Sequence, residues 1–252
     1  MIITLTLNTN TYSVNLHEPL DISLPVHEGK NNPTCYWADP VKFETIRKGS
    51  FTGSVKEGGS VNYQKLIITP HGNGTHTECY GHISPDGASI NKSLKRYHFL
   101  AHLISVQPIR NSLGDWVIPR QAMNNAALIP GTQALIIRTL PNEQSKKTKQ
   151  YSGTNPPFVE ADALAHLVGQ GIEHLLIDLP SLDKEVDEGK LSAHKAFWNY
   201  PHETRKHATI TELIYVPDTI PDGSYLLNLQ IASLEMDASP SKPVLYKLKE
   251  VL

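Results

Sequence analysis

The sequence has little sulfur: two cysteines, Cys35 and Cys79, and three methionines in 252 residues. Two cysteines rule out a disulfide-stapled scaffold, and without a Cys-x-x-Cys spacing they argue against a thiolate metal site. That usage suits a reducing compartment, so the chain is expected to be cytoplasmic. An excess of basic charge is also missing. Against 25 acidic residues stand 23 lysines and arginines, for a net charge of -2. Such a balance offers no electrostatic footprint for nucleic acid, and none is expected as a partner. No apolar run approaches the ~20 residues of a membrane span, so no membrane partner is expected either. The start, Met1-Ile2-Ile3-Thr4-Leu5-Thr6-Leu7, alternates like a strand and lacks the basic stretch and long apolar run of a signal peptide. Absence of a G-x-S-x-G element weighs against a serine hydrolase.

What is present supports a sizeable core, with 39% hydrophobic residues. No repeat and no clear linker interrupt the chain, so one mixed α/β domain over residues 1–252 is the simplest architecture. Residues 2–7 and the alternating Tyr12, Val14 and Leu16 read as a hairpin around the turn signal Asn8-Thr9-Asn10. Asp21 to Val26 reads as a short extended piece and 41–45 as an edge strand. Lys65-Leu66-Ile67-Ile68-Thr69 reads as a buried strand ending at Pro70. Ser93 to Leu100 suggests a short helix, Leu103–Val106 a strand, and Gln133–Thr139 a strand covered on both faces. Residues 141–157 have turn chemistry. Phe158 to Val168 has helical periodicity ended by Gly169 or Gly171. His174–Leu179 reads as the strand that follows, and 187–194 as a loop into a short helix. Residues 208–213, 224–229 and 244–248 read as later strands.

The chemistry concentrates in His71-Gly72-Asn73-Gly74-Thr75-His76-Thr77-Glu78-Cys79-Tyr80-Gly81-His82. Imidazole nitrogens and carboxylate oxygens are the usual ligands of catalytic zinc or manganese. His76 and Glu78 stand at i and i+2, which share one face only in an extended backbone. Cys79 then falls on the opposite face, as a buried inert thiol. A bound divalent ion lowers the pKa of its water and polarises a carbonyl, and a spare histidine moves protons. From the residues alone, metal-assisted hydrolysis is the expected chemistry.

This segment resembles the signature of the cyclase family, which includes bacterial kynurenine formamidases and carries H-x-G-T-H-x-D-x-P-x-H. Gly74-Thr75-His76 matches its G-T-H core, Glu78 falls on the aspartate ligand, and His82 on the final histidine. Asp178-Leu179-Pro180-Ser181-Leu182-Asp183 resembles the family's D-x-x-S-x-D run, Asp21-Ile22-Ser23 its early D-x-S, and Asp237-Ala238-Ser239-Pro240 its closing D-x-S-P. His194 and the Thr211-Glu212-Leu213 segment follow where later ligands are found. The resemblance implies a cyclase-like (swivelling β/β/α) fold with a mixed central sheet. It also implies a metal-dependent hydrolase of small amides or formamides, similar to arylformamidases that convert N-formylkynurenine to kynurenine and formate.

On that pattern, His71, His76, Glu78, His194 and Glu212 hold one or two divalent ions, zinc ahead of manganese. His82 acts as general acid/base, with Glu212 also assigned to the catalytic group. Trp37 and Trp198 are candidates for gripping an aromatic substrate. A homodimer or homotetramer is expected. Four departures stand out. His71 lies five residues before His76, where the family has four, and Gly72 occupies the matching place. Either a bulge built from Gly72-Asn73-Gly74 returns His71 to the site, or that ligand is lost. Glu78 replaces aspartate, and Tyr80 stands in the proline position, with Gly81 before the final histidine. The gap from His194 to Glu212 is long, which leaves His202 and His207 as alternative partners. The competing expectation is an altered or non-catalytic family member that binds a small ligand.

Overall fold

Apolar runs make the central strands. Ala134–Ile137 is fully buried, and every residue of Phe99–Leu103 is buried. Runs like these need cover on both faces. In the computed structural model, which describes residues 1–7, 10–124 and 127–251, they are neighbours in an eight-stranded sheet. Its strands are β1 (Leu20–Asp21), β2 (His76–Cys79), β3 (His98–Val106), β4 (Ala134–Thr139), β5 (His174–Ile177), β6 (Thr209–Glu212), β7 (Gly223–Ile231) and β8 (Ala238–Lys247). The order is β7-β3-β4-β5-β6-β2-β8-β1, and β7 also pairs with β8. That pairing closes seven strands into a barrel-like ring, with β1 attached to β8. Strands β3 to β6 run parallel, and the remaining pairings are antiparallel. This is the mixed central sheet of the α/β cyclase-like fold that the family resemblance implies.

Strand alternation divides the core in two. Leu135, Ile137, Leu175 and Ile177 pack with Leu164 and Leu167 of helix α1 (Ala161–Gly169) and with Phe197 and Trp198 of helix α2 (Ser192–Trp198). Ala134, Ile136 and Leu176 point the other way and pack with Leu103 of the neighbouring β3 and with Leu227 of β7 and Leu245 of β8. Truncating one of these fully buried leucines to alanine costs about 2–5 kcal/mol on the usual cavity scale. No helix among the described residues is long and apolar enough to cross a membrane.

Several local expectations change. The apolar triplet Leu66-Ile67-Ile68 does not enter the central sheet. Gln64–Ile67 pairs instead with Lys42–Thr45 as a two-stranded ribbon, with Leu66 exposed. The histidine-rich segment therefore does not hang off the end of a buried strand; its middle forms strand β2 itself. Helix is not formed over Ser93–Leu100. A single turn, Ile90–Ser93, precedes β3, because Phe99, Ala101 and Leu103 are drawn into the ring core. Phe158–Val159 pairs with Trp116–Ile118 as a short parallel strand, so α1 begins only at Ala161. The N-terminal hairpin pairs Ile2–Leu7 with Asn10–Asn15, and the turn residues 8 and 9 lie outside the described residues.

Candidate metal centre

Strand β2 sorts the signature by parity. His76 and Glu78 face the helices, whereas Cys79 joins the ring core on the opposite face. The Cys79 thiol donates to Ala88 O at 3.7 Å, and burial pushes its pKa up. It is placed as an inert thiol, away from the histidines. Antiparallel register sets Glu212 of β6 directly across from His76. Thr75 ties the two strands where they enter the site, donating its hydroxyl to Leu213 O at 2.6 Å. His194 comes from the first turn of α2. Asp183 fixes that turn by accepting from Ala193 N (2.7 Å) and from His194 N (3.1 Å), and its Oδ2 lies 2.6 Å from His194 Nδ1.

Turns bring in the rest. Pro70-His71-Gly72 forms a tight 3-10 turn in which Gly72 N and Asn73 N both donate to Thr69 O. Asn73 locks the turn by accepting from Thr69 N (2.9 Å) and donating to Asp39 O (3.2 Å). A Cβ on Gly72 would fall 2.3 Å from the Ala38 Cβ, so no side chain fits there. The extra residue is thus absorbed by a turn, not by a β-bulge, and His71 reaches the site. Its Nδ1 lies 3.1 Å from Glu78 Oε2. His82 sits in the next 3-10 turn, Tyr80–His82, with Nδ1 3.7 Å from Glu78 Oε2. Gly81 in that turn has its own reason: a Cβ would fall 2.2 Å from Ala88 O, so no side chain fits there.

The nitrogen and oxygen atoms converge. His194 Nε2 lies 3.2 Å from Glu78 Oε1 and 3.8 Å from Glu212 Oε1, and His76 Nε2 lies 3.4 Å from Glu212 Oε2. Ligand atoms of His71, His76 and Glu78 all fall within 4.8 Å of one another, as do those of Glu78, His82 and His194. His76 Nδ1 is 3.1 Å from Gly74 O, so its proton belongs there and the Nε2 lone pair faces the carboxylates. Yet His76 Nε2 and both Glu78 oxygens are buried without a hydrogen bond. Buried polar atoms without a hydrogen bond are costly, and a cation among them would satisfy all three at once. The residues present therefore fit a divalent ion.

Electrostatics agree with that fit. Burial opposes charge on His71, but Asp237 and Glu78 outweigh it and carry its pKa up to about 10. His194, also against the effect of burial, is carried up to about 10 by Asp183, Glu78 and Glu212. Burial would raise Glu78, yet the surrounding His82, His194 and His71 rings hold it well below the usual carboxylate range. The cluster wants positive charge, and protons and a divalent ion compete for the same lone pairs.

Other sequence candidates fall elsewhere. Trp198 is fully buried; its Nε1 donates to Ala208 O at 3.0 Å, and its ring lies 5.5 Å from that of His194. It backs the histidine and has no surface with which to grip a substrate. Trp37 is 71% exposed and lies outside the cavity lining. Its neighbour Tyr36 takes that place, beside His71, His82, Ser181, His194 and Glu212 around a cavity of about 290 Å³. His202 and His207 are exposed in their polar loop, and His207 stands 3.8 Å from Glu173. Asp178 is buried against Thr139 and Lys146, a structural network. A larger cavity, about 550 Å³, lies across the Asp183–Asp187 segment but has no histidine in its lining. Chemistry favours the smaller one. Tyr36 and Asp237 are not among the site residues that the sequence predicts. Asp237 had a signal in the D-x-S-P resemblance, whereas only the fold distinguishes Tyr36 from Trp37.

The family model described as "Putative cyclase" matches residues 14–184. The kynurenine formamidase of Bacillus mycoides (strain KBAB4) is 28% identical over 228 residues, covering 90% of this chain and 96% of that protein. The Bacillus cytotoxicus kynurenine formamidase is 28% identical over 233 residues, covering 92% and 98%. Among solved structures, a potential metal-dependent hydrolase with cyclase activity has a TM-score of 0.66 at 19% identity, covering 91% of this chain and 97% of that one. An isatin hydrolase bound to thioisatinate has a TM-score of 0.63 at 15% identity, covering 92% and 94%. At those identities the structural likeness speaks for the fold.

Proposed function

This chain belongs to the cyclase family, and from that premise we propose that it is a metal-dependent hydrolase of small amides or formamides, with N-formylkynurenine as the first substrate to try. The observation that carries this reading is the convergence of His76 Nε2 and both Glu78 oxygens, buried and without hydrogen bonds, beside His194 and Glu212. His76, Glu78, His194, Glu212 and His71 would hold one or two ions. A ligand set of imidazole and carboxylate suits zinc first and manganese second. When bound, such an ion supplies Lewis acidity that activates water and polarises a carbonyl.

The chain's own residues do the rest. Asp183 and Gly74 O set the tautomers of His194 and His76 by holding their Nδ1 protons. His82 lines the cavity and carries the proton between water and the departing amine. Tyr36 forms part of the cavity wall, and a volume of about 290 Å³ suits a small aromatic amide. The alternative of a non-catalytic member was motivated by the displaced His71. With His71 Nδ1 3.1 Å from Glu78, that motive is gone.

The test pairs metal analysis with turnover. Purified protein is assayed on N-formylkynurenine and a panel of small amides and lactones, before and after chelation. Activity that chelation removes and zinc or manganese restores is expected. No turnover on any substrate from fully metal-loaded protein would overturn the reading.

A further inference from the structure

One carboxylate beside the cluster is not needed for holding an ion at the buried ligands. Asp237 immediately precedes β8, whose first residue, Ala238, pairs with Glu78. The backbone here is held from two sides. Cys79 N donates to Asp237 O at 3.0 Å, and Ile90 N donates to Met236 O at 2.8 Å. The side chain therefore leaves from a fixed point next to β2. Its Oδ2 atom lies 2.7 Å from His71 Nε2 and 3.4 Å from His82 Nδ1. Those two rings stand side by side, centroids 4.4 Å apart and planes tilted by 34°.

An imidazole that holds a cation through one nitrogen keeps its proton on the other, and the acceptor of that proton decides which is which. His71 turns Nδ1 to Glu78 and Nε2 to Asp237. Accepting at Nε2 therefore leaves the Nδ1 lone pair for the centre. His82 meets the same oxygen with Nδ1. A proton held there leaves Nε2 as the nitrogen that exchanges protons with substrate. His194 and its partner Asp183 show the same logic in simpler form, with one carboxylate serving one ring.

We propose that Asp237 is a positioning residue with two tasks: it sets the tautomer with which His71 meets the ion, and it sets the tautomer and orientation with which His82 moves protons. The second task rests on the hydrolase reading; the first does not. His71 and His82 are thereby coupled through one oxygen, so the outer side of the site is one unit.

The test compares wild type with Asp237→Ala, Asp237→Asn, His82→Gln and the Asp237→Ala/His82→Gln double variant, each checked by thermal melting. In Asp237→Ala, zinc affinity measured by chelator competition falls about 10–100-fold. Its kcat falls about 10²-fold while KM stays within about threefold. Asp237→Asn, isosteric and still an acceptor, falls between Asp237→Ala and wild type. In the His82→Gln background, Asp237→Ala lowers kcat less than about threefold, because the ring it positions is already gone. Zinc affinity and kcat that both stay within about twofold of wild type in the folded Asp237 variants overturn the proposal. A kcat loss of full size in the His82→Gln background overturns the His82 task. Zinc-loaded wild type that turns over no substrate overturns the hydrolase reading instead, and chelator competition then decides the His71 task alone.

Discussion

The site has an inner and an outer half, and they differ in how they are held. His76, Glu78, His194 and Glu212 are buried, with side chains at most 5% exposed, and they come from two paired strands and the start of a helix. His71, His82 and Asp237 are 26–31% exposed and come from two 3-10 turns and the approach to β8. Backbone hydrogen bonding across the sheet leaves the inner groups little freedom. His71 and His82 border the cavity, where the proposed substrate would arrive. On the proposed function this gives a division of labour: the inner half would fix the ion, and the outer half would handle protons and complete the coordination.

Removing an inner ligand gives the largest effect. His76→Ala or His194→Ala leaves less than about a tenth of an equivalent of metal and brings activity to background. Metal analysis of the same samples used for assay checks this. His82→Gln comes next. It retains metal and lowers kcat about 10²–10³-fold. Loss of metal in that variant would erase the distinction between the halves.

Gly72→Ala probes the outer half without touching a ligand. The new methyl, 2.3 Å from the Ala38 Cβ, displaces the turn that carries His71. Zinc affinity falls about tenfold, and the second change Ala38→Gly recovers most of it. No recovery would mean that the turn is not limited by that contact.

The smallest effect concerns a buried histidine away from the site. His174 lies on β5, with Nδ1 2.8 Å from Thr209 Oγ1 and its ring 3.9 Å from that of Phe99. Burial, with His207 and nearby arginines adding to it, carries its pKa down to about 3. His194 is equally enclosed but stands among carboxylates and goes up, so the carboxylates, not burial, decide the sign. In the folded chain His174 stays neutral while the unfolded chain takes up a proton near pH 6.5. Its stabilising contribution is complete above that value and is lost between about pH 6.5 and 3, by at most ~1.4 kcal/mol per pH unit. Urea unfolding of His174→Phe against wild type over this range reads the difference as a flatter pH slope. Parallel slopes would contradict it.

Legibility in the sequence divides along the same line. The pairing of His76 with Glu78, and the exclusion of Cys79, follow from strand parity and were readable from spacing. Strand β4 was readable from its unbroken apolar run. Glu212 opposite His76 is a long-range register, and no local pattern encodes it; the family resemblance pointed to that residue. His71 was ambiguous because a 3-10 turn and a bulge absorb an extra residue equally well on paper, and the tight approach of Gly72 to Ala38 depends on the tertiary fold. Leu66-Ile67-Ile68 misled because apolar side chains in a ribbon look like those of a buried strand. Trp37 and Trp198 are candidates for gripping an aromatic substrate by residue type alone, yet one is exposed and the other is sealed behind His194.

The central claim, that the buried inner group is an ion site, is tested most directly by crystallography at the metal absorption edge on protein purified with zinc. An anomalous peak is expected with His76 Nε2, Glu78, His194 Nε2 and Glu212 among its ligands at about 2.0–2.2 Å. Full-length, folded protein with no anomalous peak within reach of these four side chains would contradict the account.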